Sequence, residues 1–166
     1  RARIARARRP RPLSLSSEIH NMLTVMRLNA RWASGARFRR EIPLQAESPL
    51  TRGLKALHDH LQGFCDIRDV DTVRYLAPFV AVVRSARASG PLTGAALSSL
   101  HKFLLYGFLS RHATRAREAV DLVGAGIAGC VFEETDSESD EVTLMKLLEL
   151  SALSLRCDAG ILLYRG

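Results

Sequence analysis

Apolar side chains recur every three or four residues along most of this chain, which is the spacing of an amphipathic α-helix. The repeat is plainest at Leu50, Leu54, Leu57, Leu61 and Phe64, which follow one another at four-three-four-three spacing. Ser48 as N-cap and Pro49 at the first helical position predict where this helix begins. No stretch alternates apolar and polar residues between turn signals as a β-strand does. The pattern therefore predicts an all-α fold.

The predicted helix starts are evenly spaced. They lie near residues 48, 71, 93, 114, 139 and 158, and an earlier helix is expected to begin at Ser16 or Ser17. Steps of 19 to 25 residues give roughly 40 to 47 residues per helix pair, the period of armadillo and HEAT-type repeats. We therefore expect an armadillo- or HEAT-like stack of about six to seven helices over residues 14–166.

The stretch from Gly90 to Leu109 is the centre of this predicted stack. Thr93 is the expected cap of its helix, and four apolar residues form a stripe that faces a core: Leu97, Leu100, Leu104 and Phe108. The opposite side is small and polar with one charge, and comprises Ala95, Ser98, Ser99, Lys102 and Tyr106. Such a side suits close approach of a second backbone, either a helix of the same chain or another chain. In the second case Lys102 makes the charged contact.

A later helix, predicted from Glu141 to Leu155, is apolar over more than half of its circumference. A helix of this kind is expected to be covered on two sides. Six carboxylates lie between residues 132 and 141, around the start of this helix. We interpret Ser139 or Asp140 as the N-cap, with acidic groups at the positive helix end. The alternative, a hard cation site, lacks the central glycine of a calcium loop.

Most of the net charge of +7 comes from the first residues of the chain. Six arginines lie between Arg1 and Arg11, so residues 12–166 carry 18 basic and 17 acidic side chains. We predict that residues 1–13 form a disordered basic arm, and we expect no specific binding of nucleic acid by the rest. The alternative function is a helical adaptor that uses this arm to bind anionic membrane or nucleic acid.

The sequence contains no arrangement typical of catalysis, cofactor binding or metal binding. His58 and His60 are two residues apart on a predicted helix, so they point in nearly opposite directions. The glycines from Gly124 to Gly129 match a bare dinucleotide-binding spacing without a preceding strand. Three widely spaced cysteines, Cys65, Cys130 and Cys157, fit a reducing compartment. The residues alone predict a non-catalytic interaction module without cofactor or metal.

Four separated motifs occur in one order and resemble those of a known family. They are Met26-Arg27-Leu28-Asn29-Ala30-Arg31-Trp32; Leu76-Ala77-Pro78-Phe79 with Val82-Val83-Arg84-Ser85; Gly90 to Ser99 with Lys102-Phe103-Leu104; and Thr135-Asp136 with Ser139-Asp140-Glu141-Val142 and Leu144-Met145-Lys146. The series is similar to the N-terminal dimerisation and cyclophilin-binding (DCB) domain of the large Arf guanine-nucleotide exchange factors, in the Golgi brefeldin-A-resistance factor and GNOM class. The resemblance runs from about Glu18 to Leu155. Ser137-Glu138 departs from it, since the family usually has Pro-Ala there.

This resemblance implies a helical regulatory domain of a protein whose Sec7 catalytic domain lies elsewhere and activates Arf in Golgi vesicle trafficking. It implies a homodimer, contact with the downstream homology domain of the same protein, small GTPases as further candidate partners, and cytoplasmic, peripheral association with Golgi membranes. The family's dimer contacts correspond to Lys102 and Glu141. Ala95, Ser98, Ser99 and Tyr106, beside Lys102, complete the candidate interface, and whether it acts between chains or within one stays open.

Overall fold

Six α-helices form the described part of the protein, which in this computed structural model comprises residues 12–33, 48–64, 66–133 and 137–164. They are α1 (Pro12–Ala33), α2 (Pro49–Leu61), α3 (Thr72–Val83), α4 (Gly90–Leu105), α5 (Ala116–Ala128) and α6 (Ser137–Arg156). Two 3-10 helices, Ile67–Asp69 and Asp158–Tyr164, also occur in these ranges. Within these ranges, β-type backbone pairing is limited to one isolated parallel bridge between Ser89 and Glu133. The predicted all-α fold is confirmed.

The N-terminal helix is longer than predicted. Pro12 opens α1 ahead of the expected cap at Ser16 or Ser17, because the fixed φ of proline suits a first helical position. Residues 1–11, which make up most of the predicted arm, lie outside the described residues. Residues 34–47 and the side chain of Trp32 lie outside them as well.

Local sequence sets the starts of α2 and α3 as predicted. Ser48 caps α2, since its hydroxyl accepts the N–H of Thr51 at 3.1 Å. Asp71 caps α3 by accepting the N–H groups of Val73 and Arg74. Each cap satisfies backbone donors that have no partner inside the first turn.

The predicted caps of α4 and α6 are wrong by a few residues. α4 begins at Gly90 with Ser89 at its N-cap, so Thr93 lies inside the helix and is fully buried. α6 begins at Ser137, which places Asp140 in its first turn instead of at the cap. Ser89 occupies the cap position of α4 without making a capping hydrogen bond through its side chain.

Arg115 precedes α5, whose start was predicted near residue 114. Its backbone is left-handed with a φ of 56°, a rare conformation for a residue with a side chain. Its Nη1 donates to Asp71 Oδ2 at 2.9 Å, and its guanidinium also pairs with Glu118. Burial raises the pKa of Asp71, but hydrogen bonds from Arg115 and the α3 backbone outweigh it and lower this pKa overall. A tertiary ion pair between α3 and α5 therefore accompanies the unusual backbone.

The helices stack in two layers, as expected for an armadillo- or HEAT-like array. One layer contains α1, α4 and α6, and the other contains α2, α3 and α5. The core between them is apolar, and Phe103 packs edge to face against Tyr75 and Phe79. The hydroxyl of Tyr75 donates to the carbonyl of Phe108 at 2.8 Å. The predicted stripe of Leu97, Leu100, Leu104 and Phe108 is buried in this core.

Within the first layer, α4 and α6 approach closely because Gly94 has no side chain. A Cβ at Gly94 would lie 3.1 Å from Thr143 Oγ1 and 3.5 Å from Lys146 Nζ. Thr143 is buried on α6 and donates its hydroxyl to the Gly90 carbonyl at 2.8 Å. Gly90 contacts Thr143, and Gly94, one turn further along α4, lies beside Lys146, about one turn further along α6. The two helices therefore run in the same direction.

The outer side of α6 is not covered, so the prediction of two covered sides is wrong for the described residues. Thr143 and Leu150 are the buried positions of α6. Its large exposed apolar residues are Val142, Leu144, Met145, Leu148 and Leu155. The segment expected to begin a further helix near residue 158 is the 3-10 helix Asp158–Tyr164, which packs on α5 and α6. That segment lies against the inner part of α6 and leaves its apolar outer side open.

Replacing Gly94 by alanine tests the close approach of α4 to α6. The added Cβ presses on Thr143, so we expect Gly94→Ala to lower the free energy of unfolding by about 1–2 kcal/mol. Gly124→Ala is the matched control, because a Cβ at Gly124 in α5 meets open space. It should raise the free energy of unfolding by up to about 1 kcal/mol, through helix propensity. Urea denaturation followed by circular dichroism measures both, and an equal gain in the two variants would contradict the close contact.

Candidate interaction surface

A strip along the outer side of α4 lies between α1 and α6. We define this α4 strip as Ala95, Ser98, Lys102, Leu105 and Tyr106, which share one helical side and are exposed or half-buried. Ser99, predicted to lie on the same surface, is fully buried by the chain itself. The small polar side of α4 is therefore divided: one edge packs within the chain, and the rest faces solvent.

A carboxylate of α1 holds Lys102 in place. Lys102 Nζ donates to Glu18 Oε1 at 2.7 Å, and the Ser99 hydroxyl donates to Glu18 Oε2 at 2.8 Å. The Glu18 side chain is 15% exposed and that of Lys102 is 43% exposed. An ammonium group carries three N–H donors, and this hydrogen bond uses one of them. Lys102 is thus fixed from inside while part of its side chain stays accessible from solvent.

Glu141 is exposed on the second turn of α6, and its carboxylate accepts a hydrogen bond from the Ser137 hydroxyl at 3.4 Å. The hydrogen bond between Thr143 and Gly90 places this end of α6 beside the start of α4. Lys102 follows Gly90 by 12 residues, a rise of about 18 Å along the helix. The side chains of Lys102 and Glu141 therefore cannot reach each other within one chain.

Exposed apolar side chains follow both charges at the same spacing. Leu105 and Tyr106 come three and four residues after Lys102, and Leu144 and Met145 come three and four residues after Glu141. All four are between 50% and 62% exposed. Leu148, seven residues after Glu141, is 66% exposed and lies on the same helical side. We call Glu141, Leu144, Met145 and Leu148 the α6 face.

The described residues do not assemble a metal centre, since no group of three or more His, Cys, Asp or Glu is placed to hold an ion there. The Gly124–Gly129 series lies within and at the end of α5, so it is not a turn after a strand. Cys130 and Cys157 are unbridged and half-buried, and Cys65 lies outside the described residues. Burial raises the pKa of Cys130, which disfavours its reactive thiolate.

The described helices do not include one with both the length and the apolar character needed to cross a membrane. A shallow groove between α4 and α6 is lined by Pro91, Gly94, Val142, Lys146 and neighbouring residues. It lies open to solvent, unlike the enclosed sites in which small molecules are usually held.

Glu18 is the residue that sequence analysis did not identify as part of this surface. Its two hydrogen bonds reach Ser99 and Lys102, which are 81 and 84 residues further along the chain. The low charge on one side of α4 signalled that a neighbouring helix packs there. No local pattern shows which helix this is, because the contact is made only by the fold.

A double-mutant cycle on Glu18→Ala and Lys102→Ala measures the coupling energy between Glu18 and Lys102. Because Glu18 is largely buried, we expect the two substitutions to show a coupling energy of about 1–2 kcal/mol in urea denaturation. The pair Arg117 and Asp121, at 3.7 Å and exposed on α5, is the matched control, with an expected coupling of about 0.3–0.5 kcal/mol. Equal coupling in the two pairs would show that Glu18 does not fix Lys102.

Comparison with known proteins relates the chain to a family, although no protein-family model matches it. Over 150 residues it is 33% identical to the ARF guanine-nucleotide exchange factor GNOM of Arabidopsis thaliana, covering 90% of this chain and 10% of GNOM. It is 35% identical over 147 residues to the exchange factor GNL1 of the same plant, covering 88% of this chain and 10% of GNL1. A Golgi-specific brefeldin A-resistance guanine nucleotide exchange factor 1 homolog of Caenorhabditis elegans is 33% identical over 121 residues, covering 72% of this chain and 6% of the relative.

These alignments cover most of this chain but only a small part of each relative. The chain spans about a tenth of the length of GNOM and GNL1. Its own motif series runs through the same helices that carry the α4 strip and the α6 face. The chain is homologous to one segment of the large ARF guanine-nucleotide exchange factors, a segment that its motifs identify as DCB-type.

Proposed function

We propose that this chain is the dimerisation and regulatory segment of a large Sec7-type Arf guanine-nucleotide exchange factor that acts in Golgi vesicle trafficking. The observation that carries the proposal is the position of Lys102, half-exposed on the α4 strip and oriented by Glu18. In the dimer, Lys102 of one copy pairs with Glu141 of the other. The exchange reaction belongs to a Sec7 domain elsewhere in the full-length protein.

The separation of the two charges supports pairing between two copies. Lys102 lies near the end of α4, while Glu141 lies beside the start of α4, so a contact between them needs two chains. A two-fold axis makes each contact twice, because residue i of one copy meets residue j of the other and the reverse. The small residues Ala95 and Ser98 then allow the two backbones to approach in the region between the two ion pairs.

The names of its relatives support the wider partners that we propose for the full-length protein. GNOM is named as an ARF guanine-nucleotide exchange factor, and the C. elegans relative as a Golgi-specific one. We propose that the segment also contacts the downstream homology domain of its own protein and that small GTPases are its further partners. Peripheral association with Golgi membranes is part of the same proposal for the full-length protein.

Mixing two weakened variants tests whether the contact is made between chains. Lys102→Ala and Glu141→Ala each remove both ion pairs of a two-fold dimer, so we expect the dissociation constant of each variant to rise about tenfold or more. A mixed dimer of the two variants retains one intact pair, because one copy supplies Lys102 and the other supplies Glu141. Mixtures should therefore associate more tightly than either variant alone, as measured by analytical ultracentrifugation with one variant labelled.

The control for this experiment is Arg117→Ala, which removes an exposed charge from α5, away from the α4 strip and the α6 face. Thermal denaturation of every variant checks that the fold is retained. A wild-type chain that stays monomeric at high concentration would refute dimerisation. A mixture that associates no better than its components would refute the pairing of Lys102 with Glu141 between chains.

A further inference from the structure

The outer side of α3 has no part in the proposed dimer, although α3 carries the second motif of the sequence. The apolar residues of that motif are buried, while the residues between them lie towards solvent. These solvent-facing positions recur at steps of three and four residues, so they share one helical side. We call this side the α3 face, and it comprises Arg74, Ala77, Pro78, Ala81 and Arg84.

Positive charge is concentrated on and beside the α3 face. Residues 72–117 contain seven Arg and Lys side chains and neither Asp nor Glu. Arg87 is exposed in the turn after α3, and Arg52 is exposed on α2. Arg52 lies beside the face, because a Cβ at the adjacent Gly53 would be 4.0 Å from Pro78 Cβ. Four arginines make no salt bridge with another described residue: Arg52, Arg74, Arg84 and Arg87.

The carboxylates near the α3 face already have basic neighbours. An anion that approaches this layer of the stack therefore encounters unpaired guanidinium groups beside charges that are largely compensated. The acidic start of α6 lies in the other layer. The compensated pairs are Asp71 and Glu118 with Arg115, Asp121 with Arg117, and Asp59 with His58.

We propose that the α3 face, together with Arg52 and Arg87, binds the phosphate groups of an anionic phospholipid membrane. Guanidinium groups stay charged at every physiological pH and bind phosphate oxygens through paired N–H donors. This inference rests on the peripheral membrane association proposed for the full-length protein, and it names the surface that makes the contact.

The shape of the α3 face fits a flat array of phosphates better than a nucleic acid. Arg74 and Arg84 are ten residues apart, which is about 15 Å along the helix. The side chains between them are small, so they do not hold the helix away from a flat surface while the longer arginines reach it. The α3 face includes no aromatic side chain on which a nucleic-acid base could stack.

The contact is electrostatic, because the α3 face has no large apolar side chain to insert into a bilayer. Each basic residue close to an anionic membrane raises the affinity about fivefold, and the attraction fades within about 8 Å at physiological salt. Arginines therefore act together only where they lie on one side of the molecule. Repulsion of the acidic start of α6 turns the other layer away from the membrane, which leaves the α4 strip accessible.

Co-sedimentation of the whole chain with vesicles tests the inference. Vesicles of phosphatidylcholine alone are compared with vesicles that also contain phosphatidylserine, at low and at physiological salt. We expect binding to the anionic vesicles that weakens with salt, and we expect Arg74→Gln with Arg84→Gln to lower the partition coefficient about tenfold or more. Both side chains are exposed, so the melting temperature should stay unchanged.

The matched control removes two positive charges from the other layer. Arg27 on α1 and Arg156 on α6 are exposed, so Arg27→Gln with Arg156→Gln changes the net charge by the same amount. This control variant should lose about twofold or less in the partition coefficient, because its charges lie away from the membrane. Equal losses in the two double variants would show that net charge alone governs binding, and would overturn the inference.

Two further measurements complete the test. Binding to single-stranded or duplex RNA that is lost with Arg74→Gln and Arg84→Gln, without binding to anionic vesicles, would assign the α3 face to nucleic acid and overturn the inference. Analytical ultracentrifugation of the same variants follows the dimer separately. A dimer that does not bind anionic vesicles refutes the inference and leaves dimerisation intact. A monomer that binds them through Arg74 and Arg84 supports the inference and refutes dimerisation.

Discussion

The position of α4 between α1 and α6 is the constraint on which this structure depends. On one flank, the absence of a side chain at Gly94 lets Thr143 of α6 reach the Gly90 carbonyl. On the other flank, Glu18 of α1 accepts hydrogen bonds from Ser99 and Lys102. A third side of α4 supplies Phe103 to the core. A helix held on three sides has one outer strip left, and that strip carries Lys102.

The internal pair of Glu18 and Lys102 also changes what the outer strip can do. A lysine on a free surface is flexible and strongly hydrated, and fixing it in one contact costs side-chain entropy. In this protein the side-chain entropy of Lys102 is lost during folding, because the largely buried Glu18 already positions the ammonium group. The same carboxylate reduces the net charge that a partner encounters. Lys102 is therefore well suited to define the register of a contact and poorly suited to provide its affinity alone.

The apolar outer side of α6 follows from the same layered arrangement. A helix in the middle of a layer has neighbours on both flanks, whereas a helix at the edge has one. α6 packs on α4 and, through its inner side, on α5 and the 3-10 helix after it. Its sequence is nevertheless apolar over most of its circumference, as if it had a second neighbour. The composition of α6 and its packing therefore do not match, since apolar side chains on its outer side lie open to solvent.

The sequence by itself determined the helical class, the number and approximate starts of the helices, and the stripe of α4 that enters the core. These follow from local rules: the spacing of apolar residues, and caps such as Ser48 and Asp71 that need only the next three residues. It also carried the motif series that relates the chain to the exchange factors. The structure places the starts of α4, α5 and α6 a few residues from the positions that local rules favoured. Only the tertiary structure shows that Glu18 pairs with Lys102, that Ser99 is buried and that the outer side of α6 is exposed. These outcomes depend on which helices become neighbours in space.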